Sequence, residues 1–151
     1  MILKMKKLKL GLLLLFLSGF PSCGGSHEAE TAAEAEKCYK FEFDMDPSSG
    51  VSEIKVKQIV VGDAVVAWLK FNVSPQDFDL LKARGFYPIR YDDFEQELNL
   101  KSGNAPSWWQ VSNNNKFYKI VGWKKGYSYS CAFISYDAEK NVICFCHTAF
   151  N

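Results

Sequence analysis

The stretch IKVKQIVVGDAVVAWLKFNV, residues 54–73, contains two β-rich runs that are joined by Gly62–Asp63. Branched aliphatic and aromatic residues favour strands, and a glycine at the first central position suits a two-residue II′ hairpin turn. Such a turn would pair Val61 with Ala64, so the stretch predicts an antiparallel hairpin. The second strand would turn five apolar side chains to one face, namely Val65, Ala67, Leu69, Phe71 and Val73.

A helix start follows the hairpin directly. Ser74 can accept a hydrogen bond from the backbone N–H of Asp77, and Pro75 occupies the first helical position, where its missing N–H costs nothing. Gly85 suits the end of this helix because it tolerates a left-handed backbone. A second, shorter helix is predicted over Asp92–Leu98 from the spacing of its apolar residues.

The remaining chain reads mainly as strands. Residues 38–44, CYKFEFD, alternate aromatic and polar side chains, which predicts a half-buried strand. Three more strands are expected in the C-terminal part, over Phe117–Trp123, Tyr127–Tyr136 and Val142–Phe150. Residues 37–151 are therefore expected to form a single α+β domain, a mainly antiparallel sheet of about five to six strands with one or two helices packed on it.

Composition excludes some classes of function. The 151 residues carry 18 basic and 17 acidic side chains. Four of the basic ones lie among the first nine residues, so the chain after residue 22 holds 14 basic against 17 acidic groups. Such a chain lacks the basic patch that nucleic-acid binding requires. No nucleophile motif, phosphate-binding glycine loop or cofactor motif is present, so we expect a protein that is not an enzyme and has no cofactor.

The N-terminal segment has the pattern of an export signal. Residues 1–10 are basic, residues 10–17 are apolar, and Gly19 and Pro21 follow. A basic, an apolar and a small-residue region in this order are typical of a signal peptide. The apolar run is shorter than the roughly 20 residues of a transmembrane helix. We therefore expect residues 1–22 to be a removable signal peptide.

The end of that segment, Phe20-Pro21-Ser22-Cys23, resembles the lipobox of bacterial lipoproteins. Ser22 matches the small residue that precedes the cysteine, whereas Phe20 and Pro21 depart from the usual residues. The resemblance implies that Cys23 carries a diacylglycerol group and an acylated (for example palmitoylated) amino terminus. Several acyl chains on one residue anchor a protein stably. The chain would then sit on a membrane of the cell envelope, at its periplasmic face or at the cell surface.

Residues 23–36 predict a flexible acidic tether between this anchor and the domain. After Cys23 the segment reads GGSHEAETAAEAE and lacks aromatic and branched aliphatic residues. Such a composition cannot bury enough apolar surface to order itself.

Four cysteines remain in the predicted domain: Cys38, Cys131, Cys144 and Cys146. In an exported protein they are disulfide candidates. A hairpin loop centred on residues 138–139 would place Cys131 opposite Cys146, and Cys38 could then pair with Cys144. A loop one residue longer would place Cys131 opposite His147. Four buried free thiols are the alternative, since cysteine is among the most buried residue types.

Two further interpretations use these residues or the tryptophans. Cys144, Cys146 and His147 form C-x-C-H, but on an extended strand His147 points away from the thiols, so no metal site is assigned. The pair Trp108-Trp109 stands in a polar loop. Exposed tryptophans could bind a glycan or a protein partner, whereas buried ones would close the core.

Taken together, the patterns favour a lipid-anchored protein of the cell envelope that acts as a binding or interaction module. The alternative is a small thiol, disulfide or metal-binding envelope protein that uses Cys131, Cys144 and Cys146.

Overall fold

The computed structural model describes residues 25–100 and 103–151. This part of the chain forms seven strands and three helices. In chain order they are β1 (Gly25–Glu28), α1 (Ala32–Phe43), β2 (Val51–Val61), β3 (Ala64–Val73), α2 (Pro75–Lys82), β4 (Tyr87–Ile89), α3 (Tyr91–Leu98), β5 (Lys116–Val121), β6 (Tyr129–Asp137) and β7 (Val142–Phe150).

All seven strands belong to one antiparallel sheet with the order β1-β2-β3-β7-β6-β5-β4. The predicted α+β class with a mainly antiparallel sheet is confirmed, although the sheet has more strands than expected. The two strands that were not predicted, β1 and β4, are short and lie at opposite edges.

Each face of the sheet is covered by a different set of elements. Helices α1 and α2 pack on one face, here called the α1 face, through Tyr39, Phe43, Phe78 and other apolar side chains. Helix α3 and the loop that contains Trp109 cover part of the opposite face, here called the α3 face. Neighbouring residues of the central strands therefore alternate between two apolar layers, which explains why almost every residue of β6 and β7 is buried.

The β2–β3 hairpin follows the prediction. Val61 pairs with Ala64, and Ile59 pairs with Val66. Gly62 adopts a φ of +57°, the left-handed conformation that its turn position requires.

Both predicted helices after the hairpin are present. The Ser74 hydroxyl accepts a hydrogen bond from the backbone N–H of Asp77 at 3.1 Å, and Pro75 is the first residue of α2. Gly85 has a φ of +111° just beyond the helix. Helix α3 begins one residue earlier than predicted and ends at Leu98, where Asn99 turns left-handed.

The predicted strand over residues 38–44 is wrong, because these residues form the last turns of α1. The Thr31 side chain caps this helix by accepting from the N–H of Glu34. Tyr39 and Phe43, four residues apart, are buried on one helix face, whereas Phe41 between them is 54% exposed. The preceding Ala- and Glu-rich residues have a high helix propensity. The helix that they begin continues through the alternating aromatic residues.

The predicted tether is also wrong for residues 25–36. Gly25 pairs with Val60 and Glu28 with Lys57, so the segment begins with a strand, and α1 follows after three residues. Backbone hydrogen bonds to the edge of a sheet do not depend on apolar side chains, which is why composition alone failed here. The predicted signal peptide and Cys23 lie outside the described residues. Within residues 25–100 and 103–151, no helix has the length and apolarity needed to cross a membrane.

Candidate functional site

The four cysteines of the domain are free thiols. The β6–β7 turn is longer than both of the predicted turns, since Asp137 pairs with Val142. Cys131 consequently lies opposite Thr148, and Cys146 lies opposite Phe133. The predicted Cys131–Cys146 pair is therefore wrong in register. The Asp137 carboxylate stabilises the wider turn by accepting from the N–H groups of residues 139 and 140.

A bond between Cys38 and Cys144 is also inconsistent with the fold. Cys38 lies on α1 and packs against the core of the α1 face. Cys131, Cys144 and Cys146 belong to the core of the α3 face, on the other side of the sheet.

Burial disfavours the reactive thiolate form of these cysteines. It raises the pKa of Cys144 to about 12 and also raises the pKa values of Cys38, Cys131 and Cys146. A thiolate is the form that attacks or binds metal, so a raised pKa opposes both roles. In the described part of the chain, no group of three or more His, Cys, Asp or Glu side chains is placed to hold a metal ion.

The two adjacent tryptophans have different surroundings. Trp109 is 4% exposed, packs edge-on against Trp68, and donates from Nε1 to the carbonyl oxygen of Phe145 at 3.2 Å. It closes the core of the α3 face and is not available to a ligand. Trp108 is half-buried, and its Nε1 donates to Glu28 Oε1 at 2.6 Å. The carbonyl oxygen of Trp108 accepts from Lys70 Nζ at 3.1 Å, which fixes the loop on the sheet.

Trp108 borders an open cavity of about 550 Å³. This Trp108 cleft lies between the β1–α1 connection and the first half of β2. Four carboxylates line it, those of Glu28, Glu30, Glu36 and Glu53, against the single ammonium group of Lys55.

The floor of the cleft contains an irregularity of β2. The pairing with β3 shifts between Ser52 and Lys55, and Glu53 between them adopts a φ of +53°. A non-glycine residue with a positive φ is uncommon. Bulges of this kind often redirect a side chain next to a binding site, and here Glu53 is exposed at the cleft.

A smaller cavity of about 250 Å³ lies over the α3 face. It is lined by Lys70, Lys140, Asn115 and the edge of Cys144, whose Sγ donates to the Gln110 carbonyl at 3.5 Å. Burial raises the pKa of Cys144 and so disfavours the thiolate that a nucleophile at this cavity would need.

Sequence reasoning missed a buried polar line on the α1 face. Ser130 Oγ is 3.1 Å from His147 Nε2, and His147 Nδ1 is 3.0 Å from Glu42 Oε2. All three side chains are buried, Glu42 completely. The His147–Glu42 contact has the distance of an ion pair but not the angles of a hydrogen bond, and among the described residues neither oxygen of Glu42 has a hydrogen-bond partner.

The residue types in this line match the order of a hydrolase triad, but their positions do not supply a reactive hydroxyl. Ser130 is 4% exposed, and its Oγ accepts the backbone N–H of Lys124 at 2.8 Å. None of the three residues lines either cavity. The line connects α1 to the sheet, and the Trp108 cleft is the better candidate for a functional site. Because Glu42 and His147 are 105 positions apart, only the folded chain brings them together.

No protein-family model, curated protein or solved structure matches this chain.

Proposed function

We propose that the protein is an exported lipoprotein, anchored to a membrane of the cell envelope through Cys23, and that it acts as a non-enzymatic binding module. The residues before Gly25 support the anchor, since a basic region, an apolar region and a cysteine after a small residue follow one another. The raised pKa values of the domain thiols favour a core role for them over the thiol or metal-binding alternative.

The Trp108 cleft carries the binding proposal. It combines an aromatic ring at its border with an excess of carboxylates and a volume in the range of ligand sites. Carboxylates attract cationic groups, and the face of a tryptophan ring attracts them as well. The ligand is therefore a positively charged segment of another envelope protein, with lysine or arginine side chains that enter the cleft.

The anchor is tested by treating the producing bacterium with globomycin, which inhibits the lipoprotein signal peptidase. We expect the unprocessed precursor to accumulate, and substitution Cys23→Ser to abolish lipid labelling. Normal maturation in the presence of the inhibitor, with no lipid on the mature protein, would contradict the anchor.

The cleft is tested with an oligolysine peptide as the probe and a neutral oligosaccharide as the comparison, by calorimetric titration of the mature protein. We expect salt-sensitive binding of the peptide, weakened about tenfold or more by Glu53→Gln or Trp108→Ala. Tyr87→Ala is the matched control, because Tyr87 is an exposed aromatic residue at the far edge of the sheet. Binding of the oligosaccharide but not of the peptide would contradict the cationic ligand and would indicate a glycan instead.

A further inference from the structure

Part of the α3 face is apolar and uncovered. Val61 is 64% exposed, Val121 is 58% exposed and Phe150 is 48% exposed. Tyr129 stacks on Phe150 with ring centroids 4.9 Å apart. We call these four side chains, together with their half-buried neighbours on the same face, the rim patch; the neighbours are Ile59, Ala64 and Val66.

The strand register makes the rim patch continuous across five strands. Paired residues of neighbouring strands point to the same face. Val61 pairs with Ala64, and Phe150 pairs with Tyr129, which forms an outer row. The next row inward runs through Ile59, Val66, Thr148, Cys131 and Val121.

The chain enters the fold beside this patch. Gly25, the first residue of β1, pairs with Val60, next to Val61. Cys23 precedes Gly25 by two residues, and two residues span at most about 7 Å. Since paired Cα atoms are about 5 Å apart, chain length alone limits the distance from Cys23 to the backbone of Val60 to roughly 12 Å.

We infer that the rim patch rests on the lipid surface to which Cys23 anchors the protein. The inference depends on the proposed lipid anchor and adds the orientation of the domain. Acyl chains attached at Cys23 would hold the end of the sheet where β1 begins against the bilayer. Exposed valine and aromatic side chains at that end would then contact the interfacial region, where aromatic residues are favoured.

A second copy of the chain fits the patch less well. An aromatic side chain offers about 150–250 Å² when fully exposed, and only three residues of the patch are exposed, none of them fully. Their area is well below the about 800 Å² per partner of a stable interface.

The test uses the mature protein, purified from bacterial membranes and reconstituted into phosphatidylethanolamine–phosphatidylglycerol vesicles with a diazirine-bearing phospholipid. After photolysis, peptide mass mapping locates the lipid adducts. We expect the peptides with Val61 and Phe150 to carry at least tenfold more adduct than the peptide with Leu80. Leu80 is a matched control because it is also 64% exposed but lies on α2, on the opposite side of the sheet.

Variants and the mass of the N-terminal peptide separate the possible failures. The double variant Val61→Ser with Phe150→Ser should lower the adducts on Tyr129 several-fold, and Leu80→Ser should not. Equal labelling of Leu80, no adducts on the patch, or chain-to-chain cross-links through Phe150 would overturn the orientation while a lipidated Cys23 still supported the proposed function. An N-terminal peptide without lipid would overturn both.

Discussion

Glu42 and His147 join α1 to the sheet through two buried titratable side chains. Their 3.0 Å contact lies in the apolar core of the α1 face, where water does not compensate either group. In such surroundings the removal of one partner lowers the free energy of unfolding far more than the replacement of both. The reason is that it leaves a buried polar or charged group without its partner.

We therefore predict that Glu42→Leu or His147→Phe alone lowers the free energy of unfolding by about 3–5 kcal/mol. The double variant should lose less than the sum of the two, as urea denaturation in a double-mutant cycle would measure. Glu36→Leu is the control, since Glu36 lies on the same helix but is exposed. Additive losses would mean that the two side chains act independently.

Tyr39 and Cys144 make stability sensitive to alkaline pH. Burial, with a contribution from the charge of Asp77, raises the pKa of Tyr39 to about 12, and burial raises the pKa of Cys144 to about 12. In the unfolded chain these groups ionise near pH 10 and 9, so the unfolded state loses protons first.

Full stability should thus persist below about pH 9 and fall as the pH rises toward 12. Urea denaturation at pH 7, 9 and 10.5 would measure the decline, and Tyr39→Phe should reduce its slope. A free energy of unfolding that stays constant over this range would contradict the burial of these two groups.

For individual residues, the sequence predicts contacts and backbone conformation only where neighbours along the chain interact. The Ser74 cap and the positive φ of Gly62 are local and were predictable. The polar line through Ser130, and the different burial of Trp108 and Trp109, depend on strand order and on the packing of a loop. Two adjacent identical side chains carry the same local signal, so only tertiary contacts distinguish them.

The N-terminus of α2 is the element most sensitive to a small change. The carbonyl of Gly50 accepts from the N–H of Ser74 at 2.9 Å, and a Cβ on Gly50 would clash with the Asp77 carboxylate and the Ser74 hydroxyl. A side chain at position 50 would therefore require the Asp77 carboxylate and the Ser74 hydroxyl to move.

Gly50→Ala should therefore destabilise the protein by about 1–3 kcal/mol, the usual cost of overpacking. Ser74→Ala should cost about 1 kcal/mol through the lost cap. Thermal unfolding monitored by circular dichroism measures both, with Ser49→Ala as the exposed control. A Gly50→Ala protein as stable as the control would show that the loop can move away.

Among the elements, the sequence predicts those with strong local signals. The β2–β3 hairpin and the two short helices have clear turn and cap residues. Helix α1 was missed because Tyr39, Phe41 and Phe43 alternate like a strand, although burial selects Tyr39 and Phe43 at helical spacing. The pairing of β1 with β2 has no side-chain signal, since backbone groups supply it.

In the whole molecule, the rim patch and the Trp108 cleft lie at opposite ends of the same sheet. β1 begins at the rim patch and ends at Glu28 in the Trp108 cleft. β2 runs between the same two regions over 11 residues, roughly 35 Å at the usual rise per residue. With the rim patch on the bilayer, the cleft would open away from it, toward partners in the envelope.

Removal of β1 tests its role in the complete fold. A chain truncated before Ala32 should be less stable and should associate as its concentration rises, because β2 would become a long unpaired edge. A chain truncated before Gly25 keeps β1 and is the control. Equal stability and equal sedimentation of the two chains would contradict a structural role for β1.

Under the proposed membrane anchor, the far edge of the sheet affects how neighbouring copies of the chain can associate. β4 has only three residues, and the central one, Pro88, has no N–H to offer to another strand. Molecules that are confined to two dimensions meet one another far more often than molecules free in solution. A short, proline-containing strand at one margin and a four-residue strand at the other would keep crowded neighbours from joining edge to edge into a fibre.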